Sequence, residues 1–271
     1  MFHLYGSSFE KFRLIYPSIQ EQQKIAACLS SLDNVIKAEG QKLGLLKEHK
    51  KGLLQNLFPQ EGETVPKLRF KEFEDSGEWE VKKLGEMCDV RDGTHDSPKY
   101  VSQGYPLITS KNLMGNGMMD FINVNYLTEH DYNQIKKRSK VDIGDILFGM
   151  IGTIGNPVIV KVDGFAIKNV VLIKSQGRLS QEFLVYQLKS DFIEKQFSRV
   201  NAGGILKFIA LGIIRDLDII VPNPKEQQKI AACLSSLDDL IKAQSQKIGA
   251  LKLHKKGLLQ GLFPDINEIH E

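Results

Sequence analysis

The chain of 271 residues, 42% of them apolar, is long enough for one large domain or two small ones, and no apolar run is long enough to cross a membrane. The net charge of +3 fits either a nucleic-acid partner or an ordinary solvated surface. The N-terminus shows no secretory signal pattern. The sparse, odd set Cys28, Cys88 and Cys233 contains no CxxC motif and predicts free thiols in a reducing compartment and no zinc site.

A segment of 43 residues occurs twice, at 17–59 and at 222–264. The two copies share 32 identical positions at a constant offset of 205, and both contain the sequence EQQKIAACLSSLD. Repeats so far apart are not a solenoid, whose units follow one another directly. They indicate two matched elements with a separate structure between them.

Each copy carries the signals of a long helix. Ser18 followed by Glu21 forms a capping box in the first copy. In the second copy, Asn223 can cap the helix, and Glu226 follows it at the third helical position. Each copy ends at a proline, which stops a helix. We therefore predict one helix per copy.

The apolar residues of each copy alternate at spacings of four and three, the 3.5-residue period of a coiled-coil seam. At ~1.5 Å per residue, each helix would be about 50 Å long. The predicted seam consists of Ile25, Leu29, Leu32, Ile36, Leu43, Leu46, Leu53, Leu57, Ile230, Leu234, Leu237, Ile241, Ile248, Leu251, Leu258 and Leu262.

Two arguments favour an antiparallel pair. The intervening segment begins shortly after the first helix and ends just before the second, and the two termini of a domain are often close together. A parallel pair in register would also place Lys50 against Lys255 in the seam. The polar seam positions Glu39 and Gln244 would help to fix the register at some loss of stability.

Residues 66–221 predict a mixed α/β domain, because β-branched stretches alternate with glycine-rich turns. The predicted parts of the chain are a stub at 1–16, helix one at 17–59, a linker at 60–65, the domain at 66–221, helix two at 222–264 and a tail at 265–271. Within the domain we predict strands at 105–109, 145–148, 157–162, 170–174 and 217–221, and a helix from 180 to about 200.

The glycine-rich stretches at 149–155 and 201–204 lack the lysine and the helix of a phosphate-binding loop. The sequence also contains no nucleophile elbow, HExxH motif or adenine-methylation motif. We therefore predict no catalytic residue and no bound metal.

Three polar segments, at 92–99, 109–112 and 136–140, suit DNA contact. Arg and Lys can reach phosphates or guanine acceptors, Asn can pair with adenine, and Ser or Thr can reach either. The alternative for each segment is a solvated loop. The candidate DNA-binding residues are Thr94, His95, Ser97, Lys99, Thr109, Ser110, Lys111, Asn112, Lys136, Lys137, Arg138 and Lys140.

The whole arrangement resembles the specificity subunits of type I restriction-modification enzymes. The duplicated helix, running from EQQKIA to LFP, flanks a domain that opens with PKLRF at 66–70. Further similarity lies in GDIL at 144–147, GTIG at 152–155 and FAIKNVVL at 165–172. The resemblance covers almost the entire chain, and the duplicated helix is its most specific part.

The resemblance implies an α+β fold, with a target-recognition domain beside an antiparallel coiled coil. In that family, two such domains each read one half of a bipartite site in double-stranded DNA, and the helices separate them. Two modification methyltransferase subunits carry the S-adenosylmethionine, and a restriction and translocation subunit can join. The chain itself would be non-catalytic, would bind no cofactor and would be the DNA-reading scaffold of a prokaryotic cytoplasmic complex.

The sequence departs from the family pattern because the first recognition domain is missing. Residues 12–17 align with the last strand of the domain at 217–222, so the N-terminus is expected to be a stub. A homodimer could then read two identical half-sites. Alternatively, the chain is a remnant that pairs with methyltransferase or another specificity subunit without reading DNA. An enzyme is the least supported alternative.

Overall fold

The computed structural model describes residues 16–96, 98–174, 179–200 and 208–263. Nearly all of the predicted stub, the predicted tail and the glycines at 201–204 therefore lie outside the described residues. The chain forms two compact units. One, here called the helical unit, consists of Met1–Glu48 and Asp238–Glu271, and the other, the globular unit, is His49–Leu237.

The helices in chain order are α1 (Ile19–Leu57), α2 (Leu84–Met87), α3 (Glu129–Ser139), α4 (Gln181–Gln187), α5 (Asp191–Val200), α6 (Leu211–Arg215) and α7 (Pro224–Leu262). The strands are β1 (Glu80–Lys83), β2 (Val90–Asp92), β3 (Tyr105–Ile108), β4 (Asn125–Leu127), β5 (Ile146–Gly149), β6 (Gly155–Ile159), β7 (Ala166–Ile167), β8 (Val170–Ile173) and β9 (Asp218–Val221). None of the helices in the described ranges has a segment long and apolar enough to cross a membrane.

Both long helices begin at the caps that the sequence predicts. The Ser18 hydroxyl accepts a hydrogen bond from the Glu21 backbone at 3.3 Å, and Asn223 Oδ1 accepts one from the Glu226 backbone at 3.0 Å. These bonds satisfy amides that have no partner within the helix. Each helix has 39 residues, or about 58 Å of length at 1.5 Å per residue.

The helical unit is an antiparallel coiled coil. Lys255 Nζ donates to Asp33 Oδ1 at 2.5 Å, and Gln244 Nε2 donates to Glu39 Oε2 at 2.6 Å. Lys247 Nζ also reaches Glu39, at 2.5 Å. The residue number on α7 falls as the number on α1 rises, which defines the antiparallel direction. The predicted fold class is confirmed.

Solvent exposure along this unit follows the heptad pattern. On α1 up to Glu48, the half-buried positions are Ile25, Leu29, Leu32, Ile36, Glu39, Leu43 and Leu46. On α7 from Asp238 onward, the buried or half-buried positions are Asp238, Ile241, Gln244, Ile248, Leu251, Lys255, Leu258 and Leu262. The remaining five seam residues, Leu53, Leu57, Ile230, Leu234 and Leu237, lie in the globular unit.

Glu39 and Gln244 occupy the same position of the two sequence copies, because they are 205 residues apart. They also contact each other. In an antiparallel pair of equivalent helices, a residue meets its own counterpart only at the twofold axis. We call Glu39 and Gln244 the dyad pair.

The described part of the globular unit contains three small sheets. β1 pairs with β9, the order β2-β8-β5-β6 forms a second sheet, and β4-β3-β7 forms a third. All neighbouring strands are antiparallel except β3 and β7, which are parallel. The parallel pair aligns Ile108 with Ile167, so the turn after β3 lies beside the turn after β7.

The globular unit is larger than the predicted domain at 66–221. Its main hydrophobic core includes Leu57 at the end of α1, the next residue Phe58, and Ile230 and Leu234 near the start of α7. Phe58 packs against the buried rings of Trp79 and Phe183, at centroid distances of 6.5 and 5.4 Å, and those two rings also contact each other. The duplicated helices thus contribute one end each to the core.

Several predicted elements differ from the structure. The predicted helix at 180–200 is two helices, α4 and α5. The break occurs because the Ser190 hydroxyl and amide both donate to the Gln187 carbonyl, at 2.6 and 2.9 Å, and Ser190 then begins the second helix. The predicted strand at 157–162 is β6, which begins at Gly155 and ends at Ile159. The sequence analysis did not predict the elements β1, β2, β4, β7, α2, α3 and α6.

Candidate nucleic-acid interface

Asp92, the last residue of β2, is the centre of a polar cluster in the globular unit. Its side chain is 9% exposed, and it accepts a hydrogen bond from Arg138 Nη2 at 2.5 Å. Its other oxygen faces His95 Nε2 at 2.7 Å. A buried carboxylate is stable only when it is paired in this way, so Asp92 fixes both partners.

Gly93 allows the chain after β2 to approach β7 closely. A Cβ atom at Gly93 would lie 2.4 Å from the carbonyl oxygen of Ile167, closer than real contacts permit. The Gly93 amide donates to the Val170 carbonyl, and the Thr94 amide donates to Ile167. These bonds hold Thr94 in the fold and direct the next residue, His95, toward Asp92.

His95 connects two segments that are far apart in sequence. Its Nδ1 faces Asn169 Oδ1 at 2.7 Å, while Nε2 faces Asp92. Both ring nitrogens therefore face oxygen acceptors, and both can donate only when the imidazole is protonated. The hydrogen bond to Asn169 and then that to Asp92 raise the pKa of His95 above its usual 6.5, which favours this cation.

Arg138 lies in the last turn of α3. Thr128, the residue before the helix, caps it, because its hydroxyl accepts a hydrogen bond from the Asp131 backbone amide at 3.1 Å. Tyr132 and Ile135 are buried, and the Tyr132 ring stacks on Tyr105 of β3 with centroids 4.0 Å apart and planes at 2°. This packing fixes the helix and leaves Arg138 exposed at its end.

The turn that follows β3 is built from the predicted segment 109–112. Asn112 is buried; its Oδ1 accepts from the amide and hydroxyl of Thr109, and its Nδ2 donates to the carbonyls of Asp120 and Asn123. Every hydrogen-bonding atom of the Asn112 amide group is therefore engaged within the protein. Its structural role here is to close the turn.

Ser110 is also buried. Its hydroxyl donates to the Asn169 carbonyl at 3.0 Å and accepts from the Met150 backbone. Only Lys111 of this turn is exposed. Asn169, whose φ is +53°, is thus bonded through its carbonyl to Ser110 and through its side chain to His95.

The three predicted segments therefore meet. His95 and Arg138 share Asp92, while His95 and Ser110 share Asn169. We call these residues, Asp92, His95, Ser110, Arg138 and Asn169, the Asp92 cluster. The prediction did not include Asp92 or Asn169 among the site residues, although each lies in a segment that the sequence singled out.

The remaining predicted residues have separate positions. Lys136 Nζ lies 5.4 Å from the Tyr132 ring centroid, Lys137 donates to Gln134 at 3.1 Å, and Lys99 is exposed. Ser97 lies outside the described residues. No pair among these is joined by a hydrogen bond within the described chain.

Lys140 belongs to a second charged group, which the sequence did not indicate. It pairs with Asp142 at 2.5 Å, and the largely buried Lys174 pairs with Asp142 at 2.8 Å and with Asp145 at 2.5 Å. Lys140 and then Lys174 lower the pKa of Asp142 to about 2. The charge of Lys140 is therefore balanced within the protein.

The family model for the type I restriction modification DNA specificity domain matches residues 1–48 and 76–253. The chain belongs to this family. The match includes the Asp92 cluster and most of both long helices.

Among curated proteins, the chain is 26% identical over 279 residues to the type I restriction enzyme MjaVIII specificity subunit of Methanocaldococcus jannaschii, covering 96% of this chain and 63% of that protein. It is 25% identical over 272 residues to the MjaIX specificity subunit of the same organism, covering 96% of this chain and 61% of the relative. The chain therefore spans about 60% of the length of these relatives.

Two solved structures share the fold. The S subunit of a type I restriction-modification system from M. genitalium aligns with a TM-score of 0.59 at 16% identity, over 92% of this chain and 62% of that one. The HsdS subunit from Thermoanaerobacter tengcongensis aligns with a TM-score of 0.60 at 17% identity, over 91% and 59% respectively.

Proposed function

We propose that this chain recognises one half-site of a bipartite double-stranded DNA target and holds modification methyltransferase subunits beside it. The observation that carries the DNA-reading role is the meeting of three polar segments at the Asp92 cluster. Base-edge readout requires side chains that are held in fixed positions, and this cluster holds His95 through Asp92 and Asn169 and holds Arg138 through Asp92.

The exposed cations around the cluster suit the DNA backbone. Lys99, Lys111, Lys136 and Lys137 are all exposed in the globular unit. Lysine is a flexible point charge that binds phosphate without demanding one geometry. Binding through such contacts weakens steeply with salt, because each contact releases condensed counterions.

The scaffold role is proposed for the long helices. The two helices are the two similar copies of the repeat, so their outward faces can offer equivalent surfaces to two methyltransferase subunits. The S-adenosylmethionine and the adenine chemistry would belong to those partners, and a restriction and translocation subunit would join the complex. A second copy of this chain would supply the second half-site in a symmetric target.

The test is fluorescence anisotropy with the intact chain, alone and with its methyltransferase, on a pool of random-sequence duplexes at several salt concentrations. We expect the logarithm of the association constant to fall linearly with the logarithm of the salt concentration. A triple variant with Lys111, Lys136 and Lys137 changed to Ala should bind more weakly and with a smaller salt slope. No binding in either setting would overturn the proposal.

The second candidate is an interaction protein that reads no DNA. The helical unit favours it, because its ion pairs between α1 and α7, such as Asp33 with Lys255, need nothing from the globular unit. Co-purification of methyltransferase with the chain, together with no DNA binding by the complex, would support this alternative.

A further inference from the structure

The guanidinium of Arg138 is held at one corner and open elsewhere. Nη2 donates to Asp92 Oδ1 at 2.5 Å, and the side chain is 61% exposed. No other acceptor among the described residues bonds to this guanidinium. Arginine has five N–H donors in a rigid planar fork, so four remain available in a plane whose direction Asp92 sets.

The Asp92 carboxylate, which orients the Arg138 guanidinium, is itself held in a fixed position. Asp92 is the last residue of β2, which pairs with β8 through the register of Asp92 with Val171. His95 occupies its second oxygen, and His95 is in turn held by Asn169. Arg138 is therefore oriented through a chain of contacts that ends in the second sheet.

The neighbouring lysines lack such support. Among the residues that the structure describes, Lys137 is bonded to Gln134 alone, one turn earlier on the same helix, and Lys136 lies over the Tyr132 ring. Both ammonium groups sit on flexible stems that can follow a phosphate. The last turn of α3 thus combines two adaptable cations with one oriented fork.

We propose that Arg138 is a specificity-determining residue that binds the O6 and N7 acceptors of a guanine in the major groove, with Asp92 as its positioning residue. The inference rests on the proposed DNA-reading function and names guanine as the nucleobase that Arg138 reads. Guanine presents two acceptors side by side, and a bidentate arginine is the commonest specific contact to it.

A phosphate is the weaker candidate for Arg138. Asp92 lies directly against the guanidinium, and its carboxylate would repel a phosphate bound beside it. Neutral base acceptors depend less on net charge and more on donor direction, which is what the carboxylate supplies. The arrangement therefore favours a base edge over the backbone.

The test selects bound duplexes from a random-sequence pool with the intact chain and with the variants R138A, R138K and D92N. K137A is the matched control, since it removes one cation from the same helical turn. The wild type should enrich a motif that contains a guanine. R138A and R138K should lose the preference for one guanine, with about 5- to 150-fold weaker binding to the wild-type motif.

D92N should weaken the same preference, because an amide holds the guanidinium less firmly than a carboxylate does. K137A should weaken all sequences alike, keep the motif and lower the salt slope by about one. Melting temperatures of the variants establish that each is folded. R138K separates geometry from charge, because lysine keeps the charge without the fork.

If R138A weakens all sequences uniformly, as K137A does, or leaves the motif unchanged, the inference is overturned while the proposed function stands. If the wild-type chain binds no duplex, alone or with methyltransferase, the proposed function fails first. The two failures are therefore distinct.

Discussion

The two copies of the duplicated helix have nearly the same sequence but bury opposite ends. In the second copy, Glu226 and Ile230 at the start are buried, whereas Phe263 at the end is 55% exposed. In the first copy, Ile25 near the start is only half-buried, whereas Phe58 at the end is buried. The globular unit takes in the end of the first copy and the start of the second.

The difference shows that the burial of a repeat residue depends on what packs against it and not on the helix sequence alone. Glu21 and Glu226 are the same position of the repeat, yet only Glu226 forms a buried ion pair, with Arg69 at 2.8 Å. Identical residues at the same position of the two copies therefore provide controls for each other, and an exposed residue of the same helix serves where the copies differ.

The largest effect is expected for Phe58→Ala against Phe263→Ala. Phe58 is 1% exposed and lies against Trp79 and Phe183, so its removal leaves a cavity. We expect a loss of about 4–5 kcal/mol in the free energy of unfolding. Urea denaturation measures both variants. An equal loss for the exposed Phe263 would contradict the comparison.

The next effect concerns the Arg69–Glu226 pair, in which the side chains are 7% and 1% exposed. Glu226→Gln leaves a buried guanidinium without its counter-charge and should cost about 3 kcal/mol. Glu21→Gln, the same change in the other copy, should have little effect because Glu21 is exposed. Thermal unfolding monitored by circular dichroism compares them, and similar losses would show that the ion pair is not what matters.

A third pair tests a single hydrogen bond. Gln22 and Gln227 both donate to the carbonyl of the proline five residues earlier, at 2.8 and 2.9 Å. Only Gln227 also accepts from the Ser180 amide, at 2.8 Å. Gln227→Ala should therefore cost about 2 kcal/mol, mostly because the partly buried Ser180 amide loses its acceptor, and Gln22→Ala should cost much less. Hydrogen exchange of the Ser180 amide should accelerate only in the former.

The smallest effect is a pH dependence in the helical unit. The hydrogen bond from Lys247, and then that from Gln244, lower the pKa of Glu39 below its usual 4.5. A depressed carboxyl pKa contributes stability that is present above pH 4.5 and is lost as the pH falls through the lowered pKa. Glu39→Gln should remove this step from the pH profile of unfolding. Glu48→Gln, at an exposed position of the same helix, should retain it.

The heptad seam was predictable because a 3.5-residue period needs only local sequence. Helix α3 was missed because its polar surface hides its periodicity; Tyr132, Ile135 and Ser139 are its only buried residues. The meeting of the three polar segments was not predictable either. It depends on the parallel register of β3 with β7 and on the left-handed backbone of Asn169, both of which are set by long-range packing.

The dyad pair has a consequence for the choice of partner helix. If two α1 helices from separate chains paired in this register, Asp33 would meet Lys50 and Glu39 would have Lys42 nearby, so both cation contacts would survive. At the axis, however, Glu39 would face a second Glu39. Two carboxylates would then oppose each other in the seam, whereas Gln244 donates to Glu39. One divergent residue in the repeat therefore favours pairing within the chain over self-pairing of the first helix.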